Sequence, residues 1–170
     1  YDYRRQRLSA GSDFLSDYLE LEGPSFTIST ACSSSAHAVA QAAALIEGGV
    51  CDAVVTGGAD SLSRMTVRGF MSLEAISAGL CNPLSLNRDG INLGEGSALF
   101  LMTREPADVV FLGAGASSDA HHISAPHPEG RGAIAARQGA LTDAKVDASQ
   151  IDYVNLHGTG TPLNDAMECR

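Results

Sequence analysis

Thr30-Ala31-Cys32-Ser33-Ser34-Ser35-Ala36-His37 places a thiol where one kind of local pattern gives way to another. Before it, Phe26-Thr27-Ile28-Ser29 is rich in β-formers and reads as a short buried strand. After it, an alanine-rich run predicts a helix from Ser33 to Glu47. Cys32 therefore sits at a strand-to-helix turn. Free N–H groups and the positive end of the helix dipole favour a thiolate there, and a thiolate so placed is a covalent nucleophile. The plainer reading is that a free cysteine is a small buried hydrophobe. Cys51, Cys81 and Cys169 lack that setting and read as core or surface thiols.

A second cluster is His157-Gly158-Thr159-Gly160-Thr161-Pro162, which follows a predicted strand over Ile151 to Leu156. Ligand groups in α/β folds gather beyond the carboxyl ends of strands. The glycines let a thin substrate approach the backbone, and the hydroxyls of Thr159 and Thr161 suit an amide-bearing ligand. A lone His among glycines is more often structural. Its pairing with a strand-end Cys is what favours chemistry here. His121-His122 with His127 have the side-chain types of a metal site, but the stretch is Pro-rich and lacks a matching helix of acid and His. His37, inside the predicted helix, reads as a packed and hydrogen-bonded histidine.

The elements that must carry these groups alternate. Ser12 reads as the cap of a helix through about Glu20, with Phe14, Leu15, Tyr18 and Leu19 on one face. The uncharged helix to Glu47 is expected to be buried on most sides and to stop at Gly48-Gly49. Cys51 to Thr56 reads as a strand that Gly57-Gly58 turns, and Asp60 to Ala78 as loop and helix. Asn87-Arg88-Asp89-Gly90 and Gly94-Glu95-Gly96 suggest tight turns, a phosphate cradle being the weaker reading. Ser97 to Met102 is an apolar strand, and Val109 to Leu112 predicts a hairpin partner for it. Gly130 to Ala144 is helical in pattern, and Asn164 or Asp165 reads as the cap of a last helix. Strands alternating with helices argue for an α/β layered fold.

Composition narrows the partners. The net charge of −9 makes nucleic acid a poor ligand. An acidic partner protein would need a local basic patch, for which Arg4, Arg5 and Arg7 or Arg64 and Arg68 are the candidates. No apolar run approaches the ~20 residues of a membrane span, and no signal peptide opens the chain. The four cysteines show no C-x-x-C or zinc spacing and no disulfide framework, which favours a reducing, cytoplasmic setting.

Thr30-Ala31-Cys32-Ser33-Ser34-Ser35 and His157-Gly158-Thr159-Gly160-Thr161-Pro162-Leu163-Asn164-Asp165 together resemble a β-ketoacyl-[acyl-carrier-protein] synthase, a ketosynthase of the thiolase-like superfamily. Asn87-Arg88-Asp89-Gly90 with Gly94-Glu95-Gly96, and Ser117-Ser118-Asp119-Ala120-His121-His122, resemble the same family in the same order. The likeness runs from Phe14 onward. It implies a thiolase-like layered αβαβα fold, only partly covered by this chain. Residues 1–103 would form the C-terminal part of the first half and 104–170 the N-terminal part of the second.

By that resemblance Cys32 is the acyl-carrying nucleophile, and its N–H forms part of an oxyanion hole. His157 would bond the malonyl thioester carbonyl, and Thr159 and Thr161 would hold the phosphopantetheine arm. Asp165 would fix the loop, and Glu168 would belong to a supporting charge network. No metal or organic cofactor is implied. The implied partners are an acyl carrier protein and a second subunit, as a homodimer or a ketosynthase heterodimer. The His121-His122 stretch would line the substrate channel or a dimer contact. A coenzyme A-dependent thiolase-like acyltransferase and a non-catalytic partner subunit are the alternatives, the latter set against the retained Cys32. The family's second catalytic His with its preceding Lys, and its Gly-Phe-Gly-Gly loop, are not in these 170 residues. The chain therefore reads as a piece of a longer protein, inactive by itself. The short connection from Thr103 to Asp108 suggests a divergent branch, such as one serving polyene or polyketide synthesis.

Overall fold

A computed structural model describes residues 2–123 and 125–170. The chain divides into two compact units. The first takes the residues up to Ser61 together with Glu95–Phe111, and the second takes Leu62–Gly94 with Leu112–Arg170.

In the first unit, helix α1 spans Ala10–Tyr18. It begins before Ser12, whose hydroxyl donates back to the Ser9 carbonyl (3.0 Å) and meets the Thr27 hydroxyl (2.8 Å) instead of capping. Phe14 and Tyr18, one turn apart, stack with ring centroids 5.6 Å apart. Helix α2 spans Ser34–Glu47 and ends at Gly48, as the sequence predicts. Its burial is narrower than expected. Only the stripe Ala42, Ala43 and Ile46 is buried, because α2 packs against a single two-stranded sheet. His37 is half-buried.

That sheet pairs β1 (Ala53–Asp60) with β2 (Gly96–Thr103), antiparallel, from Ala53 opposite Thr103 to Asp60 opposite Gly96. Two expectations fail here. Gly57-Gly58 does not turn the chain but lies inside β1. The reason is close approach: a Cβ on Gly57 would stand 2.1 Å from the Ala98 carbonyl oxygen across the ladder. The hairpin of Ser97–Met102 with Val109–Leu112 is also absent. β2 pairs with β1, and Val109–Leu112 carries no strand. Phe26–Ser29 likewise runs as irregular backbone. Arg4 and Arg5 lie 3.6 Å from Asp2, and Arg7 lies 2.7 Å from Asp13, so this basic cluster is partly neutralised by its own neighbours.

In the second unit, α3 spans Arg64–Ser72, and the Ser63 hydroxyl caps it by accepting from the Thr66 N–H (3.2 Å). Arg64 and Arg68 are exposed on it. Helix α4 spans Arg131–Ala144, and the Ala114 N–H donates to Asp143 beside its last turn (2.9 Å). Ile151–Leu156 carries no strand among the described residues, because no backbone ladder joins it. Helix α5 spans Pro162–Glu168. It starts earlier than the expected cap at Asn164 or Asp165, with Thr161 in the cap position and Pro162 in the first turn, where a missing N–H costs nothing. Among the described residues no helix is long and apolar enough to cross a membrane.

Candidate active site

The first unit holds Cys32 in an elbow. The tight turn Ala31–Ser33 leads directly into α2. Ala31 has φ of 55°, a left-handed conformation that a residue with a Cβ seldom adopts. Two hydroxyls hold it there. Ser34 accepts from the Thr30 N–H (2.8 Å) and donates to the Ala31 carbonyl (2.7 Å), bracketing the strained residue. Ser33 donates to the Thr30 carbonyl at 2.9 Å and lies 3.0 Å from its hydroxyl. Ser35 faces β1 at Gly58, where a Cβ would fall 2.4 Å from its hydroxyl oxygen. The serines after Cys32 thus fasten the turn, and the thiol itself stays exposed. A pinned, strained turn at a helix start is a known way to present a nucleophile.

The second unit holds the other five residues expected to serve the site: His157, Thr159, Thr161, Asp165 and Glu168. The loop His157–Pro162 folds back over α5. Glu168, with a side chain only 6% exposed, accepts from the N–H groups of His157 (2.8 Å) and Gly158 (2.7 Å) and from the Asn164 amide (3.0 Å). Arg137 of α4 stands 3.9 Å from it. The His157 side chain is exposed, while its backbone is held. The Thr159 and Thr161 hydroxyls touch each other at 2.7 Å, which turns both toward one side of the loop. Asp165, 1% exposed, accepts from the N–H of Gly160 (3.1 Å) and of Leu84 (2.7 Å).

Sequence reasoning missed what the loop rests on. Asn87-Arg88-Asp89-Gly90 and the His157 loop form one knot. The Gly90 N–H donates to the Gly160 carbonyl (3.0 Å), the Cys81 thiol lies 3.7 Å from the Thr159 carbonyl, and Arg88 reaches the Pro162 carbonyl (3.2 Å). Asp89 ties the same segment to the loop before it. The Ser77 hydroxyl and the Ala78 N–H donate to its carboxylate and hold its carboxyl below the usual value. The only signal in the sequence was the presence of both motifs.

Glu168 carries a pH prediction. Burial pushes its carboxyl up, but the donors on Gly158, His157 and Asn164 outweigh that and leave it below the ordinary 4.5. A carboxyl lowered by folding stabilises the fold above its unfolded value, and that stability disappears as pH falls through the folded value. Thermal unfolding followed from pH 7 downward is therefore expected to weaken below about pH 4.5, and Glu168→Gln is expected to flatten that acid limb. At pH 7 the substitution is expected to cost about 1–3 kcal/mol, because one backbone N–H loses its acceptor. An unchanged acid limb in the variant would contradict this account of the loop.

His121 and His127 lie with ring centroids 4.7 Å apart, and Asp119 accepts from the His127 N–H (2.6 Å). Among the described residues, no group of three or more His, Cys, Asp or Glu is arranged to hold a metal ion.

Comparison with known proteins points in one direction. Residues 7–107 match the family described as Beta-ketoacyl synthase, N-terminal domain, and residues 109–170 match Beta-ketoacyl synthase, C-terminal domain. A 3-oxoacyl-[acyl-carrier-protein] synthase 2 of Staphylococcus aureus is 32% identical over 166 residues, which is 89% of this chain and 41% of that protein. A solved ketosynthase, ApeO, in complex with its chain length factor, ApeC, from Xenorhabdus doucetiae superposes with a TM-score of 0.96 at 56% identity. It covers 99% of this chain and 42% of the solved chain. A type II acyl-carrier protein in complex with its ketosynthase bound to the hexaketide gives 0.88 at 25% identity, covering 98% and 45%. The chain carries part of the thiolase-like α/β fold of these ketosynthases and spans about two fifths of the length of these relatives.

Proposed function

We infer the reaction from kinship: this chain belongs to the beta-ketoacyl synthase family. The protein that carries it is a 3-oxoacyl-[acyl-carrier-protein] synthase. The observation that carries this reading is the elbow, an exposed thiol set between strained Ala31 and the start of α2.

In this reading the Cys32 thiolate attacks the thioester carbonyl of an acyl chain on a carrier's phosphopantetheine. The carrier thiol leaves and the acyl group stays on Sγ. Free N–H groups at the start of α2 stabilise the oxyanion. Malonyl thioester then binds with its carbonyl against the His157 imidazole and its pantetheine amides against Thr159 and Thr161. The carboxylate departs as carbon dioxide, and its electron pair remains on the α carbon as an enolate that His157 stabilises. That carbon attacks the acyl carbonyl, the carbon–sulfur bond to Cys32 breaks, and a 3-oxoacyl thioester is released. Asp165 and Glu168 hold the His157 loop from beneath. These steps call on no metal or organic cofactor.

The partners are an acyl carrier protein and a second subunit, either another copy or a chain length factor like the one bound to the ketosynthase that is 56% identical. The four free thiols suit the reducing cytoplasm. In a full-length protein carrying this chain, acyl- and malonyl-carrier are expected to give 3-oxoacyl-carrier, followed by mass spectrometry. His157→Ala is expected to lower malonyl decarboxylation about 10²–10³-fold while Cys32 still accepts an acyl group. Turnover with coenzyme A thioesters but not with carrier thioesters would overturn the reading in favour of a thiolase-like enzyme.

A further inference from the structure

We propose that Arg88 is a positioning residue for the malonyl half-reaction, holding the His157 loop through Asp165 and the Pro162 carbonyl; this rests on the condensing reading above. Arg88 is largely covered, with its side chain 21% exposed. Its guanidinium is spread across three attachments. One terminal nitrogen donates to the Ser85 carbonyl (2.7 Å) and the other to the Pro162 carbonyl (3.2 Å). Nε faces Asp165 Oδ2 at 3.8 Å, shielded from solvent and with no hydrogen-bond acceptor of its own.

The Asp165 carboxylate is the hub of the knot. Its two oxygens hold the Leu84 and Gly160 N–H groups, and Asn164 adds a weaker contact at 3.4 Å. A carboxylate this buried needs a counter-charge. Arg88 is the one cationic group within 4 Å of it among the described residues. Take the guanidinium away and the carboxylate must draw in water or move, releasing the Gly160 N–H. Gly160 lies between Thr159 and Thr161 and three residues from His157. The displacement therefore reaches the groups that would hold the malonyl thioester. Among the described residues, the hydrogen bonds that bracket the Cys32 elbow run between Thr30, Ala31, Ser33 and Ser34. They do not involve Arg88.

That separation gives the test. In the full-length protein with its partner subunit, Arg88→Met is expected to lower kcat for decarboxylation of malonyl-carrier about 100-fold, the scale of a misplacement near 1 Å. Alkylation of Cys32 by iodoacetamide should stay within about twofold of the parent rate, since its elbow does not use Arg88. Arg88→Lys keeps the charge and loses the fork, so it should recover part of the lost rate. The proposal is overturned if Arg88→Met decarboxylates normally, if it slows alkylation as much as decarboxylation, or if Arg88→Lys is no better than Arg88→Met. A parent protein that does not decarboxylate malonyl-carrier at all would instead sink the condensing reading, which is a separate result.

Discussion

Cys32→Ser is expected to abolish condensation, with a loss of at least about 10³-fold measured as 3-oxoacyl-carrier formed by the full-length protein. A thiol is a few per cent ionised near neutrality and is intrinsically nucleophilic, whereas a serine hydroxyl needs a partner base to reach comparable reactivity. The elbow supplies none. Its hydroxyls are committed to the turn, with Ser34 bonded to Thr30 and Ala31, and Ser33 bonded to Thr30. Serine would keep the fold, because the side chain at this position is exposed and fills no core space. The other thiols do not substitute, since Cys81 faces the Thr159 carbonyl and Cys51 and Cys169 lie outside both motifs. Retention of activity within tenfold would mean that the thiol is not the nucleophile.

Gly160→Ala is the second large effect, and it acts on the fold before the chemistry. Gly160 has φ of 71° and lies against Gly90. A Cβ there would sit 2.6 Å from the Gly90 carbonyl oxygen and 2.9 Å from the Cys81 sulfur. The first of these is backbone and is itself part of the knot, because the Gly90 N–H bonds the Gly160 carbonyl. Left-handed strain and overpacking together are expected to cost about 2–4 kcal/mol in denaturant unfolding. The loop carrying His157, Thr159 and Thr161 should lose its seat with it. Gly158→Ala provides the contrast. Its φ of 53° carries the same strain, but the nearest foreign atom is Pro83 Cβ at 3.5 Å, an ordinary contact. It should cost only about 1 kcal/mol. Equal stability of the two variants would refute the close approach between Gly160 and Gly90.

The helices of this chain were more legible than its sheet. A helix announces itself locally, so α2 and α4 appear close to where composition and the glycine stop place them. Cys32 was visible because its position at a helix start is itself a local property. Strand pairing is not local. Ala53 finds its partner at Thr103, and nothing within a few residues of either records the other. Gly57-Gly58 read as a turn because glycine pairs usually are, but here they serve the approach of one backbone to another. Ile151–Leu156 and Phe26–Ser29 have strand-like composition and no ladder among the described residues, since composition supplies a preference and only a partner supplies the hydrogen bonds. The knot beneath His157 was hidden for the same reason. Leu84 and Asp165 are 81 residues apart, and neither motif by itself shows that it holds the other.

The strained turn at Ala31 adds something the sequence did not. Alanine carries no sign of a left-handed conformation, yet its φ of 55° sets the direction in which Cys32 leaves the chain. The same serines that made the segment look like a helix start are the groups that hold this conformation.

The sulfur of Cys32 is expected to carry the growing chain between two substrates. The most direct measurement of this is peptide mass spectrometry of the full-length protein after exposure to acyl-carrier alone and again after malonyl-carrier is added. An acyl group is expected on the peptide containing Cys32, lost on the second addition as 3-oxoacyl-carrier and carbon dioxide appear in equal amounts. An acyl group found on Cys51, Cys81 or Cys169, or product formed while Cys32 stays unmodified throughout, would contradict it.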